Sequence, residues 1–217
     1  MVPKILHQIT GPRQNFVVAH CLASWQRIQG KGFTINIWND ELLTTFISKE
    51  YPFALNAFLK ARNHAEAADI ARYLLVYHTG GIYMDWDVQL LSVPKFIQVL
   101  KDTPHGFLIQ DPDNFTIASE AFSAQKKEPY LIKLVESIVE LYEQQQRDTM
   151  ATPEYSGPYR MRDALYNFTT KQALIPVNDI FVYNYREIRS MPERPIVQPL
   201  IHYWIHSWIE PSKPQQL

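Results

Sequence analysis

The chain has 217 residues, of which 46% are hydrophobic and 20% charged, a composition typical of a globular protein with one sizeable core. Its 21 Lys and Arg residues nearly balance its 22 Asp and Glu residues, and no basic run suggests a nucleic-acid partner. A single cysteine, Cys21, excludes an internal disulfide. We find no secretory leader and no apolar run of about 18 residues, so we expect a cytoplasmic protein and leave open peripheral contact with a membrane.

The first hundred residues alternate between strand and helix patterns. Residues 4–9 are short, apolar and β-prone, and residues 33–38 alternate with period two, so both predict strands. Apolar residues at helical spacing predict helices over 17–28 and 64–78, the second of which ends at a Gly-Gly pair. This succession predicts an α/β fold with a mainly parallel sheet.

The second half of the chain has weaker patterns. It predicts a strand over residues 107–109 and helices over residues 130–142 and 161–168. Three prolines within residues 191–199 predict an irregular connection. We expect residues 1–210 to form a single domain and residues 211–217 to be a frayed tail.

Two acids, Asp85 and Asp87, interrupt an apolar segment directly after the Gly-Gly pair. In an extended segment residues i and i+2 face the same side, so the two carboxylates point together while Trp86 turns away. Paired carboxylates form a hard oxygen site suited to Mn²⁺ or Mg²⁺, and such a metal can neutralise charge on a departing diphosphate. The alternative is a solvated turn, which the apolar neighbours disfavour.

The segment around these acids also carries a recognisable signature. Residues 69–87 run Asp-Ile-Ala-Arg-Tyr-Leu-Leu-Val-Tyr-His-Thr-Gly-Gly-Ile-Tyr-Met-Asp-Trp-Asp. This segment closely resembles the sugar-binding Asp-x-Asp region of family 32 glycosyltransferases, which is shared with yeast mannosyltransferases, bacterial polysaccharide enzymes and, distantly, clostridial glucosylating toxins. Further resemblances cover the opening strand, two landmarks after it and the closing motifs, at residues 2–9, 24–25, 37–40, 156–158 and 202–208. The resemblance therefore spans nearly the whole chain.

The resemblance implies a single-domain GT-A fold, in which a Rossmann-like, nucleotide-binding mixed sheet is flanked by helices. It implies that Asp87 ligates the metal and that Asp85 reaches the metal site and the donor's ribose and sugar. It also implies that Asp69 and Arg72 hydrogen-bond the donor sugar, with Arg72, Asp85 and Asp87 serving catalysis. From spacing alone, Asp69 and Arg72 are helical neighbours, and an exposed ion pair is the alternative.

The closing motif implies further ligands from a late loop that closes over the donor. His202 is the candidate metal ligand and His206 a rival, while Ser207 and Trp208 are expected to contact the phosphates. The alternative is that His202 is a core histidine among core tryptophans.

Other positions are expected to contact substrate. Ile9, Thr10, Gly80 and Gly81 are assigned to the donor site. Thr10 stands where many relatives of the family have an aromatic residue, so base stacking is expected from elsewhere and uridine versus guanosine stays open. Glu120 faces either the acceptor or the anomeric carbon, or is a surface glutamate.

These observations predict a metal-dependent, retaining transferase that moves a hexose from a UDP-sugar, or else a GDP-sugar, to a hydroxyl of a glycan or glycoconjugate. Mn²⁺ or Mg²⁺ is the expected cofactor, and we assign no catalytic base. Two alternatives remain. A metal-dependent hydrolase or phosphotransferase needs further acids near the pair, which residues 88–100 do not supply; the other is a catalytically silent nucleotide-sugar-binding module. Donor sugar, linkage and oligomeric state stay open.

Overall fold

A computed structural model describes residues 1–11 and 15–205. The strands are β1 (Ile5–Ile9), β2 (Thr34–Trp38), β3 (Gly81–Met84), β4 (Val88–Leu90), β5 (Gly106–Asp111), β6 (Thr116–Ala124), β7 (Ala173–Pro176) and β8 (Leu200–His202). The helices are α1 (Phe16–Ser24), α2 (Asp40–Glu50), α3 (Leu55–Leu59), α4 (His64–Thr79), α5 (Val93–Asp102), α6 (Pro129–Glu143), α7 (Thr152–Tyr155), α8 (Pro158–Asn167) and α9 (Val177–Ile180). Among the described residues, no helix combines the length and apolarity needed to cross a membrane.

One mixed sheet organises the chain, with strand order β2-β1-β3-β6-β5-β7. Strand β1 pairs in parallel with both β2 and β3, which confirms the parallel arrangement predicted for the first half. Strand β6 runs antiparallel to both β3 and β5, and β7 pairs in parallel with β5. Strands β4 and β8 form a separate antiparallel pair beside the main sheet. The structure is thus a mixed α/β domain, as predicted.

Asparagines begin three of the helices in the first half. The side chains of Asn15, Asn39 and Asn63 each accept a 2.9 Å hydrogen bond from the backbone N–H three residues later, at α1, α2 and α4. Such caps satisfy N–H groups that have no partner within the helix. The patterns at residues 17–28, 64–78, 130–142 and 161–168 correspond to α1 with the 3₁₀ turn after it, and to α4, α6 and α8.

Gly80 and Gly81 have structural roles that explain the Gly-Gly pair. Gly80 has a φ of +72°, and a Cβ there would lie 2.7 Å from a backbone nitrogen. Gly81 has a φ of +109°, and a Cβ there would lie 2.5 Å from the carbonyl oxygen of Ile5 on β1. Only glycine accommodates both the positive φ and the close strand contact. The two glycines lie at the start of β3, while Asp85 follows its end, and neither glycine is among the described residues that line the cleft. Contact of Gly80 and Gly81 with substrate stays a prediction.

Strand β6 is the main element that the sequence patterns do not predict. Its sequence, Thr-Ile-Ala-Ser-Glu-Ala-Phe-Ser-Ala, contains few of the β-branched and aromatic residues that favour strands. It forms because β3 and β5 bond to its two edges and eight of its nine positions are buried. Tertiary packing overrides the weak local preference here. The predicted irregular connection over residues 191–199 is confirmed.

Hydrophobic clusters cover both faces of the sheet. Along β3, Tyr83 belongs to one cluster, built largely by α4 and α6, whereas Ile82 and Met84 belong to another that includes Trp25 and Phe96. Because successive side chains of a strand point to opposite faces, the two clusters lie on opposite sides of the sheet. The sheet is therefore a buried platform, and the predicted domain end at residue 210 falls outside the described residues.

Candidate functional site

A cleft of about 970 Å³ opens where β1 and β3 end. Ile9, the last residue of β1, lines it, as do Asp85 and Asp87 directly after β3. Its walls also include residues from α4, β6 and β8. Ligands of open α/β sheets bind beyond the carboxyl ends of strands, because the connecting loops diverge there. The position of the cleft follows that rule.

The two acids of the predicted pair lie in a turn rather than in an extended strand. Strand β3 ends at Met84, and the N–H of Val88 donates to the carbonyl oxygen of Asp85 at 3.1 Å, which closes the turn. Asp85 and Asp87 still converge on one cleft. The prediction that Trp86 turns away is wrong, because in the turn its side chain also lines the cleft.

The Arg72 guanidinium joins the two predicted sugar-binding acids. Its Nη1 donates to the carbonyl oxygen of Ser119 at 2.8 Å and lies 3.2 Å from Asp85 Oδ1. Its Nη2 lies 3.5 Å from Asp69 Oδ1, and its plane packs 4.6 Å from the ring centroid of Tyr83. Arg72 and Asp69 are each only 4% exposed, which excludes the alternative of a solvated helical pair.

The Asp69 carboxylate is held from both sides. Its Oδ2 accepts a 2.7 Å hydrogen bond from the hydroxyl of Ser156, which belongs to the predicted Ser-Gly-Pro motif. The carbonyl oxygen of Ser156 in turn accepts a 2.9 Å bond from the hydroxyl of Tyr73 on α4. Burial raises the pKa of Asp69 to about 6, while Arg72 and Ser156 act in the opposite direction. Ser156 thus fixes the position of a buried acid that lines the cleft.

His202, on β8, completes a cluster with the two acids of the turn. Its Nε2 lies 3.2 Å from Asp87 Oδ1, and its Nδ1 lies 3.5 Å from Glu120 Oε1. Asp87 Oδ2 also accepts a 2.7 Å bond from the backbone N–H of Ile205. His202 and Asp87 are each 3% exposed. The antiparallel pairing of β8 with β4, which places Val88 opposite His202, brings together groups that are more than a hundred positions apart in sequence.

The charged groups of this cluster shift one another's pKa values. Burial raises the pKa of Asp85 to about 6, and the neighbouring Asp87 adds to the rise while Arg72 opposes it. Burial alone would raise the pKa of Asp87, but His202 and the Ile205 N–H hold it below its usual value. Burial alone would lower the pKa of His202, yet Asp87 and Glu120 raise it to about 10. The surroundings of His202 therefore favour its positively charged imidazolium form at neutral pH.

The residues of this cluster fit a divalent cation. One ligand atom each from Asp85, Asp87 and His202 lies within 4.8 Å of the other two. Two carboxylates and one imidazole suit Mn²⁺ and related ions. A cation would replace the His202 proton, since histidine binds metal as neutral imidazole. The Nδ1 of His202 is buried without a hydrogen bond, and Glu120 stands beside it as a carboxylate that can orient the ring.

The other predicted residues divide into two groups. Ile9 lines the cleft, whereas Thr10 bonds to the carbonyl oxygen of Trp38 through its N–H at 2.9 Å and its hydroxyl at 3.3 Å. Thr10 therefore links β1 to β2 and is absent from the described lining of the cleft, and its assignment to the donor site stays a prediction. His206, Ser207 and Trp208 lie outside the described residues.

Two aromatic rings at the cleft were not identified as candidates by their sequence pattern. His64 and Trp86 stack with ring centroids 6.3 Å apart and an interplanar angle of 20°. Both line the cleft beside Gly11, where a Cβ would lie 3.0 Å from the Trp86 ring. These flat surfaces occur near the end of β1, where Thr10 offers no ring. The sequence feature that could have identified Trp86 as a candidate is its position between Asp85 and Asp87.

The fold is that of a GT-A glycosyltransferase domain. Residues 17–103 match the family model described as "Glycosyltransferase sugar-binding region containing DXD motif", which confirms the predicted resemblance to family 32 glycosyltransferases. Among solved structures, the PaToxG glycosyltransferase superposes with a TM-score of 0.52 over 76% of this chain and 69% of that one. At 16% sequence identity, this likeness shows a shared fold.

The chain is also similar to yeast proteins. It is 29% identical over 147 residues to mannosyl phosphorylinositol ceramide synthase CSH1 of Saccharomyces cerevisiae, covering 64% of this chain and 35% of that protein. It is 25% identical over 142 residues to inositol phosphoceramide mannosyltransferase 1 of Schizosaccharomyces pombe, covering 63% of this chain and 43% of that protein. The matches thus span less than half the length of either relative.

Proposed function

We propose that this chain is a metal-dependent, retaining glycosyltransferase that moves a hexose from a nucleotide sugar to a hydroxyl of a glycan or glycoconjugate. The observation that carries the proposal is the continuity of two networks. Asp85 belongs both to the buried Asp69–Arg72 network and to the Asp85–Asp87–His202 cluster. A sugar held by the first network therefore lies beside a diphosphate neutralised at the second.

The donor is proposed to be a mannosyl nucleotide. The names of the two yeast relatives describe mannosyl transfer, which supports mannose over the other hexoses and favours GDP-mannose over the UDP-sugars expected from sequence. The stacked His64 and Trp86 rings offer an apolar surface for the base at the end of β1. Stacking of a base on aromatic rings is worth about 1–3 kcal/mol per base.

The residues of the site divide the chemistry between them. A bound Mn²⁺ or Mg²⁺, held by Asp85, Asp87 and His202, would supply Lewis-acid neutralisation of the leaving diphosphate. Asp69 accepts and Arg72 donates hydrogen bonds to the sugar, and Arg72 stabilises charge that develops during transfer. Glu120, whose Oε1 lies 3.5 Å from Nδ1 of His202, would accept a hydrogen bond from that nitrogen and so orient the ring. We assign no catalytic base.

A donor screen tests the proposal. The purified chain with Mn²⁺ is incubated with GDP-mannose, UDP-glucose, UDP-galactose and UDP-GlcNAc, and scored by thermal shift and by nucleoside-diphosphate release. We expect a metal-dependent shift and release with GDP-mannose. Asp87→Asn should reduce release by at least about 100-fold, because even indirect changes at metal sites cost about 10–100-fold. Asp179→Asn, an exposed acid of α9, is the matched control.

The outcomes separate the classes considered. Binding of a nucleotide sugar without any release, even with added oligosaccharides, would indicate a silent binding module. Release of a nucleoside monophosphate and a sugar 1-phosphate, in place of a nucleoside diphosphate, would indicate a hydrolase or phosphotransferase that cleaves the bond between the two phosphates. Failure of all four donors to bind, with and without metal, would refute the donor site.

A further inference from the structure

Two arginines line the cleft on the wall built by the segment between α9 and β8. Arg186 precedes a short 3₁₀ helix over Glu187–Arg189 and Arg189 is its last residue. Both arginines are exposed and line the cleft. A 3₁₀ helix has about three residues per turn, so side chains three positions apart stand on the same face. The backbone therefore presents two guanidinium groups together.

Neither guanidinium is neutralised within residues 1–11 and 15–205. The acid between them, Glu187, pairs instead with Arg194, with Oε2 and Nη2 2.6 Å apart. Arg189 packs 4.0 Å from the ring centroid of Tyr185 and donates through Nη1 to the Tyr185 carbonyl oxygen. The Arg186 guanidinium has no protein acceptor in that part of the chain, so its N–H donors are left for a ligand.

A row of aromatic rings connects this arginine pair to the metal cluster. The rings of His202 and Trp204 have centroids 4.0 Å apart, and Trp204 meets Tyr185 edge-on at 5.9 Å. Tyr185 then carries Arg189 on its face. The pair therefore stands beside the reacting centre along one wall of the same cleft, separated by these rings from the cluster that would hold the donor diphosphate.

We propose that Arg186 and Arg189 bind a phosphate group of the acceptor, so that the acceptor is a phosphorylated glycan or glycoconjugate. This inference rests on the proposed function, because it assigns the second substrate of the same cleft. Guanidinium groups recognise phosphate oxygens through paired N–H bonds that a neutral acceptor cannot replace. The carboxylates of Asp111 and Glu120 line other parts of the cleft and disfavour a phosphate there. The arginine pair on one wall and the carboxylates elsewhere thus orient such an acceptor with its phosphate group toward Arg186 and Arg189.

The test measures binding of two small probes by ligand-observed NMR. The full chain is titrated with myo-inositol 1-phosphate and with neutral myo-inositol, and inorganic phosphate serves as competitor. We expect the phosphorylated probe to bind about tenfold more tightly, a preference worth about 1.4 kcal/mol. The preference should fall as NaCl is raised, since exposed charges are screened.

Matched variants assign the preference to these arginines. Arg186→Gln/Arg189→Gln should abolish it, whereas Lys101→Gln/Lys126→Gln, which removes two exposed charges elsewhere, should retain it. Equal affinity of the wild-type chain for the two probes would overturn the inference, as would the same loss in the lysine variant. So would weakened GDP-mannose binding in the arginine variant with unchanged inositol phosphate binding, because the pair would then serve the donor. The donor screen is scored separately, so failure of the proposed function remains distinguishable.

Discussion

Arg72→Met tests whether the buried charge network holds the cleft together. Arg72 faces two buried carboxylates, with Nη1 3.2 Å from Asp85 and Nη2 3.5 Å from Asp69, and it satisfies the Ser119 carbonyl oxygen. Methionine fills much of the volume but leaves the acids without a partner. Removing one member of a buried ion pair costs about 3–5 kcal/mol. For a chain of this length, that loss lowers Tm by about 6–20 °C.

The loss should depend on pH in a defined direction. The pKa of Asp69 is already raised to about 6 by burial, and Arg72 opposes that rise. Without Arg72 the folded-state pKa of Asp69 rises further above its unfolded value of about 3.9. A raised carboxyl pKa contributes stability below the unfolded pKa and loses it as pH rises through the folded pKa. Arg72→Met should therefore be more destabilising at pH 8 than at pH 5.

The assay is urea denaturation followed by far-UV circular dichroism, in EDTA, at both pH values. Lys133→Met is the control, because Lys133 and Glu136 form an exposed pair on α6 and such surface pairs contribute about 0–1 kcal/mol. A loss below about 1 kcal/mol at pH 8 would refute the reasoning. A loss as large at pH 5 as at pH 8 would show that packing, and not the buried charge, is responsible.

Two further predictions concern stability. Gly81→Ala should destabilise the fold by about 2–4 kcal/mol, because a Cβ would lie 2.5 Å from the Ile5 carbonyl oxygen at a φ of +109°; the affinity for GDP-mannose of the folded fraction should not change. Burial lowers the pKa of His7 to about 4 against about 6.5 when unfolded, so its neutral form contributes stability that is lost as pH falls through this window. His7→Gln should remove about 2 kcal/mol of the decline in unfolding free energy between pH 7.5 and pH 5, measured by urea denaturation.

Each of these has a result that contradicts it. An unchanged Tm for Gly81→Ala would show that the fold does not require this glycine, and a stable variant with weakened donor binding would support contact of Gly81 with substrate. For His7→Gln, parallel pH profiles of the variant and the wild-type chain would show that His7 titrates alike in both states. Gly30→Ala is the glycine control, since a Cβ there meets nothing within 4 Å.

The local elements follow from the sequence because their determinants are local. The apolar period of residues 64–78, the Asn63 cap and the Gly80 stop define α4 before any tertiary contact is considered. The alternating pattern of β2 and the short apolar run of β1 likewise specify strands. The Asp-x-Asp signature also locates the acids of the site, although not the turn on which they stand.

Tertiary structure decided how those acids are partnered. Asp69 and Arg72 have the spacing of a common helical ion pair, but in the fold they are buried in a larger charge network. Two distant segments complete that network, because the carbonyl oxygen of Ser119 accepts from Arg72 and the hydroxyl of Ser156 donates to Asp69. Pairing of β8 with β4 brought His202 to Asp87.

Tertiary structure also decided the formation of β6 and the placement of the arginine pair at the cleft, neither of which the sequence patterns predict. Strand β6 formed because two neighbouring strands bond to it, despite its weak local preference. Arg186 and Arg189 line the cleft together because the segment that carries them packs through Tyr185 against Trp204. Local periodicity determines secondary structure, whereas a site depends on distances between residues far apart in the chain, which packing of the whole domain sets.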